Sequence, residues 1–325
     1  MNYLTQNALV FFVSATITIY FVPIVRKVGF KLGITDKPNK RKQHKESLVR
    51  IGGLALILGF YLSIIFAFFT VSYDMRLYFL NNENYYISLL VFSLLIFILG
   101  FIDDIFDLPP LSRLSFQFII AFITIRNGLN FSGVEISFFW YSFYSLSVPF
   151  FFTNFISIFW LSGVTNAFNW IDGLDGLAAG VGIISSLSIS IYNLQINNPI
   201  VSLIAASLAG SCLGFLKYNF KNASILMGDG GSYFIGFNLA GLILMSCKSD
   251  IKVLEIIPLI LFIAVPLFDM ASVILKRIYN GKSPFRPDRS HFHHVLLNYG
   301  ISTESTVYII YALSIFSAAF GLIMF

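Results

Sequence analysis

Residues 166–180 read NAFNWIDGLDGLAAG, and the interpretation of the whole chain turns on them. Apolar segments flank the stretch on both sides. Inside it stand Asn166, Asn169, Asp172 and Asp175, with no Lys or Arg nearby. In a helix, Asn169, Asp172 and Asp175 fall at i, i+3 and i+6, roughly one face. An acidic stripe at the end of a membrane helix is costly unless a cation sits on it. The stretch therefore asks which cation it holds and what that cation carries.

The composition around it sets the class. Hydrophobic residues make up 57% of the 325, charged residues only 11%, and Phe alone numbers 37. A soluble domain carries about 25% charged residues, so this chain solves its burial problem with lipid as the solvent. Cys212 and Cys247 lie in separate apolar runs and suggest neither a disulfide nor a metal site. The first apolar run lacks a basic leader and a small-residue cleavage site, so it reads as a retained span.

Apolar runs place spans at 4–25, 51–71, 87–102, 114–125, 146–165, 176–193, 199–216, 232–247, 256–275 and 306–325. The fold class is thus an all-α polytopic membrane protein of about ten transmembrane helices, a single integral-membrane domain over residues 1–325. The runs at 87–102 and 114–125 are short and should extend into their polar flanks. Residues 127–145 alternate apolar and polar, as a small hairpin or an interfacial element would. All of the 21 Lys and Arg except Arg76, Arg126, Lys248 and Lys252 fall in the loops after odd-numbered spans. The positive-inside rule puts those loops in the cytoplasm and both termini outside.

That orientation gathers every chemically rich cluster on the cytoplasmic face. Asp103, Asp104 and Asp107 end the third span, just before Pro109–Pro110. Carboxylates at a helix C-terminus oppose its macrodipole, so they lack a structural motive there. They could bind Mg²⁺ or hold one member as a base. Asp229 sits in a Gly-Asp-Gly-Gly frame whose glycines allow close backbone approach to a phosphate. Arg286, Arg289, His291, His293 and His294 crowd one loop, where the arginines favour phosphate over a metal. The basic loop 26–50 answers the topology rule, but its segment 36–44 adds Asp36, Pro38, Asn39 and His44 beyond what charge requires. Asp269, inside the ninth span near Pro266, reads as a hydrogen-bonding group of the bundle and not as a site residue. Acids for divalent cations together with Arg, Lys and His for phosphates are the equipment of phosphoryl transfer. A site on the membrane surface implies one lipid-anchored and one soluble reactant.

DKPNKRKQH at 36–44, RIGG at 50–53, FIDDIFD at 101–107, NAFNWIDGLDGLAAG at 166–180, LMGDGGSYFIGF at 226–237 and SPFRPDRSHFHH at 283–294 recur in an order that resembles one family. It is the polyprenyl-phosphate N-acetylhexosamine-1-phosphate transferases, the MraY/WecA type of glycosyltransferase family 4, and the likeness is closer to the WecA branch. The resemblance implies transfer of a sugar-1-phosphate from a UDP-N-acetylhexosamine to undecaprenyl phosphate in the bacterial inner (cytoplasmic) membrane. The products would be UMP and a lipid-diphosphate-sugar that starts a cell-envelope glycan such as O-antigen or teichoic acid. It implies Mg²⁺, with Mn²⁺ as the alternative, on Asp229 and Asn169. Asp172, Asp175 and Asn219 would line the uridine side. His291, His293, His294, Arg286 and Arg289 would meet the nucleotide-sugar and its phosphates. Asp103 and Asp104 would stand where the lipid phosphate attacks, with Lys42 and His44 in a loop or at that phosphate. The implied partners are the UDP-N-acetyl sugar, undecaprenyl phosphate and the bilayer, with no nucleic acid. A homodimer is allowed. Two departures matter: Ser47 and Val49 replace family prolines, and Leu226 replaces an aromatic residue that can stack on uracil.

Two other classes compete. DDIFD is similar to the DDxxD of intramembrane prenyltransferases, which leaves the His-rich loop and the GDGG turn unexplained. A transporter of an anionic metabolite predicts acids at mid-span and broken helices in paired halves.

Overall fold

A computed structural model describes residues 2–36, 47–71, 73–81, 83–131, 134–137, 145–147, 149–247, 251–283 and 290–324. Its elements are α1 Tyr3–Leu32, β1 Thr35–Asp36, β2 Leu48–Val49, α2 Gly53–Thr70, α3 Tyr73–Asn81, α4 Glu83–Phe106 and α5 Pro110–Arg126. There follow β3 Val134–Ser137, β4 Ser145–Ser147, α6 Phe150–Ile171, α7 Leu177–Gln195, α8 Pro199–Asn219 and α9 Gly228–Ser246. The chain ends with β5 Ile251–Lys252, α10 Val253–Leu261, α11 Ala264–Tyr279, α12 Phe292–Asn298 and α13 Thr303–Met324.

Among the described residues, six helices (α1, α2, α4, α7, α8 and α13) are long and apolar enough to cross a membrane. The chain is a helical membrane protein. The expected spans at 114–125, 146–165 and 232–247 fall on α5, α6 and α9. The short run at 87–102 does lengthen into its polar flanks, becoming the 24-residue α4. The stretch 127–145 supplies the first strand of a hairpin, but the second, β4, lies at Ser145–Ser147, at the start of the expected span 146–165; β3 and β4 pair antiparallel, with Glu135 opposite Ser147. A third strand, β5, with no alternation to announce it, pairs parallel to β3.

The expected ninth span, 256–275, is two helices. Pro266 has no N–H to give Phe262 and its ring excludes the carbonyl four residues back. Phe262 O instead accepts from Ser185 Oγ of α7 at 2.7 Å. Leu261 O, at the end of α10, accepts from Ser317 Oγ of α13 at 2.8 Å. The neighbouring helices thus satisfy the break, as non-helical backbone at membrane depth requires.

Helix α9 occupies the centre. It packs against α2, α4, α6, α7 and α8, and every residue from Gly230 to Ser246 is buried. Lipid is as apolar as leucine, so such packing rests on close contact and interhelical hydrogen bonds. Small residues supply the contact. A Cβ built on Gly100 of α4 would lie 2.6 Å from Asp229 O and Gly230 Cα, and one on Gly53 of α2 would lie 2.5 Å from Gly231. Buried hydroxyls and amides supply the bonds: Asn7 to Ser202 at 2.6 Å, Ser63 with Ser207 at 2.6 Å, Asn193 to Ser246 at 2.7 Å. The outer faces present Phe12, Phe69, Phe151, Phe268 and Phe316, all exposed as lipid-facing residues would be.

Candidate active site

The β1–β2 segment, the α6–α7 and α8–α9 connections, and residues from α12 to the start of α13 line a cavity of about 1060 Å³. Of the predicted residues, Asn169, Asp172, Asp175, Asn219, Asp229 and His294 line it. Asp103 and Asp104 stand one layer back from it. Arg286, Arg289, Lys42 and His44 lie outside the described residues.

The acids of the third predicted span take three different roles. Asp104 is buried. It accepts from the backbone N–H of Asp229 at 2.9 Å and of Gly230 at 3.1 Å, and Arg50 Nε lies 3.3 Å away. The residue preceding α9, Met227, offers no side-chain cap. Asp104 therefore caps α9 from another helix, satisfying orphan donors and meeting the positive end of its dipole. This corrects the expectation that carboxylates here lack a structural motive: the field that matters to Asp104 is that of α9. Asp103 is also buried, with Arg113 Nη1 at 2.8 Å, Leu108 N donating at 2.8 Å and the Tyr233 hydroxyl at 3.5 Å. Asp107 has a φ of 47° and a side chain 84% exposed, with Arg50 Nη1 at 3.3 Å. Although i,i+4 neighbours, Asp103 and Asp107 do not form one acidic face.

Asp229 projects into the cavity from the first turn of α9. Asn169 Nδ2 donates to Asp229 Oδ1 at 2.7 Å and to Ser232 Oγ at 3.0 Å. Asn169 thus presents nitrogen and holds Asp229 in place; it reaches a cation through oxygen only if its amide turns over. Arg113 Nη1 lies 3.7 Å from Asp229 Oδ2. The sequence reading assigned Arg50 and Arg113 no role. One looked like topological charge and the other stood alone, and only the fold sets both against the acids.

The loop between α6 and α7 is stitched to the loop between α8 and α9. Asp175 Oδ2 accepts from Ala223 N at 2.9 Å. Asn219 Oδ1 accepts from Gly176 N at 3.0 Å while its Nδ2 donates to Ile225 O at 3.0 Å. Gly176 takes the left-handed φ of 78°, and its carbonyl accepts from Tyr311 at 2.6 Å. Asp172 is the exception. It lines the cavity, and its carboxylate has no hydrogen-bond or ion-pair partner among the described residues. Desolvation, then the charges of Asp229, Asp104 and Asp175, hold its carboxyl well above the usual range.

The histidines form a second layer. His291 precedes α12, its ring edge-on to Trp170 with centroids 5.5 Å apart, and His293 stacks on it at 5.6 Å. Trp170 in turn carries Arg277 over its face at 5.1 Å. Asp269 of α11, set aside by the sequence reading, bonds to His291 Nδ1 at 2.8 Å. Burial, then the charges of His294 and His291, push the His293 imidazole down to about 3. It is therefore neutral at pH 7, so it can meet a phosphate as a hydrogen-bonding group and not as a cation.

Asp103, Asp104 and Asp229 lie against the guanidiniums of Arg50 and Arg113, and Asp172 and Asp175 share the cavity lining with Asp229. Such a wall repels a polyanion unless a cation comes with it. Among the described residues no three His, Cys, Asp or Glu side chains form a preformed metal cluster. Mg²⁺ in phosphate sites takes one or two carboxylates and completes its shell with substrate and water oxygens. The unpartnered Asp172 beside the charge of Asp229 fits that donor set.

An acid-lined cavity in a helical membrane protein defines a class that comparison with known proteins makes specific. The profile of glycosyl transferase family 4 matches residues 86–247. The chain belongs to that family, and to its polyprenyl-phosphate N-acetylhexosamine-1-phosphate transferases. It is 32% identical over 309 residues to the probable undecaprenyl-phosphate N-acetylglucosaminyl 1-phosphate transferase of Bacillus subtilis, covering 93% of this chain and 80% of that one. It is 33% identical to the decaprenyl-phosphate N-acetylglucosaminephosphotransferase of Mycobacterium tuberculosis, with 95% and 80% covered. To the undecaprenyl-phosphate alpha-N-acetylglucosaminyl 1-phosphate transferase of Escherichia coli K12 it is 27% identical, with 99% and 85% covered.

Proposed function

We propose that the protein transfers N-acetylglucosamine-1-phosphate, or the 1-phosphate of a related N-acetylhexosamine, from its UDP-sugar to undecaprenyl phosphate. The observation that carries this reading is the single cavity in which Asp172 and Asp229 face Arg50 at the end of a membrane bundle. At about 1060 Å³ it matches the upper end of ligand pockets, roughly 300–1,000 Å³. That leaves room for a nucleotide-sugar and a phosphate headgroup together.

In the reaction a lipid phosphate oxygen attacks the β-phosphorus of the UDP-sugar. A new P–O–P bond joins lipid and sugar phosphates, the α–β anhydride bond breaks, and UMP leaves with the bridging oxygen. One anhydride replaces another, so no ATP is needed. Asp229 and Asp172 would hold Mg²⁺, or Mn²⁺, with Asn169 fixing Asp229; the ion would neutralise the diphosphate and the charge on departing UMP. Asp175 and Asn219 brace the wall that the uridine meets. Leu226 offers that base an apolar surface and Phe220, in the same lining, an aromatic one. Arg50, in the cavity lining, is placed to exchange carboxylate partners for phosphate oxygens, while Arg113 stays on Asp103. A phosphate monoester, second pKa about 6, is mostly dianionic at pH 7, so it needs little help from a base. The full occupation of Asp103 by Arg113, Leu108 N and Tyr233 supports direct attack over a covalent aspartyl intermediate. We place the site on the cytoplasmic side of the bacterial inner membrane, in a ten-span topology with both termini outside. The product would initiate a cell-envelope glycan.

The test is purified protein with undecaprenyl phosphate and UDP-N-acetylglucosamine labelled at the β-phosphate. Mg²⁺-dependent entry of label into the organic phase with stoichiometric UMP supports the reading. Prenyl transfer without nucleotide release, or uptake without chemistry, would replace it with one of the rival classes.

A further inference from the structure

Asp269 has no part in the reaction as drawn, yet its surroundings are those of a built device. It is buried at 4% exposure, and both carboxylate oxygens are used. Oδ1 accepts from Phe292 N at 2.6 Å, the first residue of α12. Oδ2 meets His291 Nδ1 at 2.8 Å. His291 itself supplies no side-chain cap to α12, so Asp269 fixes both the start of the helix and the ring before it. Trp170 and His293 close two further sides of that ring. Two residues on, His293 packs where a Cβ on Gly173 would lie 2.6 Å from its Nε2. One residue further, His294 lines the cavity. The carboxylate thus ties α11 to the segment that brings His294 into the cavity lining.

Resting on the proposed reaction, we infer that Asp269 is its positioning residue: it holds His291 as the Nδ1–H tautomer and seats α12 so that the histidine layer meets the donor's phosphates. A carboxylate only accepts, so Nδ1 carries the proton and Nε2 is left as the nitrogen that can act. A second partner of this kind sets tautomer and orientation in other His sites, and its loss there costs about 10- to 100-fold.

Asp269→Asn separates this role from a purely structural one. Its amide oxygen can keep the bond to Phe292 N, but the NH₂ then faces Nδ1 and drives the proton to Nε2. The chain has only four histidines, so ¹⁵N-histidine NMR in detergent can follow the tautomer directly. The expected result is Nδ1–H for His291 in the parent and Nε2–H in Asp269→Asn. The turnover number should fall about 10- to 100-fold, with KM for the UDP-sugar within about threefold. In a His291→Ala background, Asp269→Asn should cost less than about threefold more, because both act through one ring. Asp269→Glu should regain part of the activity. If Asp269→Asn folds, shifts no tautomer and keeps its turnover, the inference is wrong. Fully multiplicative losses in the double variant would also overturn it. If the parent transfers no sugar-phosphate, the proposed reaction fails instead, while the tautomer experiment still decides the geometry.

Discussion

Gly100→Ala adds one methyl group where α4 crosses the start of α9, and the structure says how far that methyl reaches. The new Cβ would lie 2.6 Å from Asp229 O and Gly230, all backbone. Relief cannot come from a side-chain rotation. To reach ordinary contact at 3.4 Å, the first turn of α9 must move off α4 by about 0.8 Å, a shift large enough to cost about 100-fold when it misplaces a reacting group. That turn carries Asp229, and the pair of bonds from Asp104 would stretch with it. The stability cost is small by comparison. Overpacking costs about 1–3 kcal/mol, and Ala regains roughly 1 kcal/mol over Gly as a helix residue. A net loss of roughly 0–2 kcal/mol leaves the bundle folded. The assay is label transfer from the β-phosphate of UDP-N-acetylglucosamine at saturating Mg²⁺, beside a thermal melt in the same detergent. The expected outcome is a turnover number about 100-fold lower with the melt little changed. Gly163→Ala is the matched control, since its nearest neighbour is Met270 Cε at 3.9 Å, and it should behave as the parent. Gly100→Ala with more than half the parent's turnover would refute the claim that this crossing sets the position of Asp229.

Three further outcomes are expected. Asp229→Asn should abolish transfer at low Mg²⁺ and regain part of it as Mg²⁺ is raised; full activity at low Mg²⁺ would remove Asp229 from the cation site. The Asp172 carboxyl is held above its unfolded value. It therefore favours the folded state when protonated, and that contribution is lost as pH rises through the folded pKa. In EDTA, Asp172→Asn should accordingly melt higher than the parent at pH 8 and lose the advantage near pH 4, while being inactive in transfer. Equal melting at pH 8 would contradict the raised position of this carboxyl. Lys221→Ala removes an ion pair to Glu304 of 3.0 Å in which both side chains are about half exposed. It should change stability by less than about 1 kcal/mol in a denaturation series.

Much of this was legible in the sequence because it depended on composition and order. Lipid-scale hydrophobic runs gave the helices, and alternation gave β3, while its partner β4 begins where a span was expected. The motifs around Asn169, Asp172, Asp175, Asn219 and Asp229 gave most of the residues lining the cavity. What escaped depended on where a helix end points. The i,i+4 spacing of Asp103 and Asp107 implied a shared face, but α4 ends between them and Asp107 turns out to solvent. Asp104 read as a reactant because its partner, the start of α9, is 125 residues away. Arg50 was hidden by the topological charge around it, and Asp269 by its mid-span position. The break at Phe262 was written in Pro266, but whether a neighbour would satisfy the freed carbonyl depended on Ser185 in another helix.

The enclosure of α9 has a consequence for how the protein is made. Of the helices that surround it, α2, α4, α6, α7 and α8, all precede it in the chain. During synthesis they enter the bilayer with their common centre unfilled. The carboxylate of Asp104 meanwhile waits for backbone donors that have not yet been translated. The last surrounding helix and α9 are separated only by residues 220–227, so the wait at that final stage is short. Insertion of α9 brings Asp229 against Asp104 and Asn169, while His294 and the start of α13, which also line the cavity, follow later in the chain.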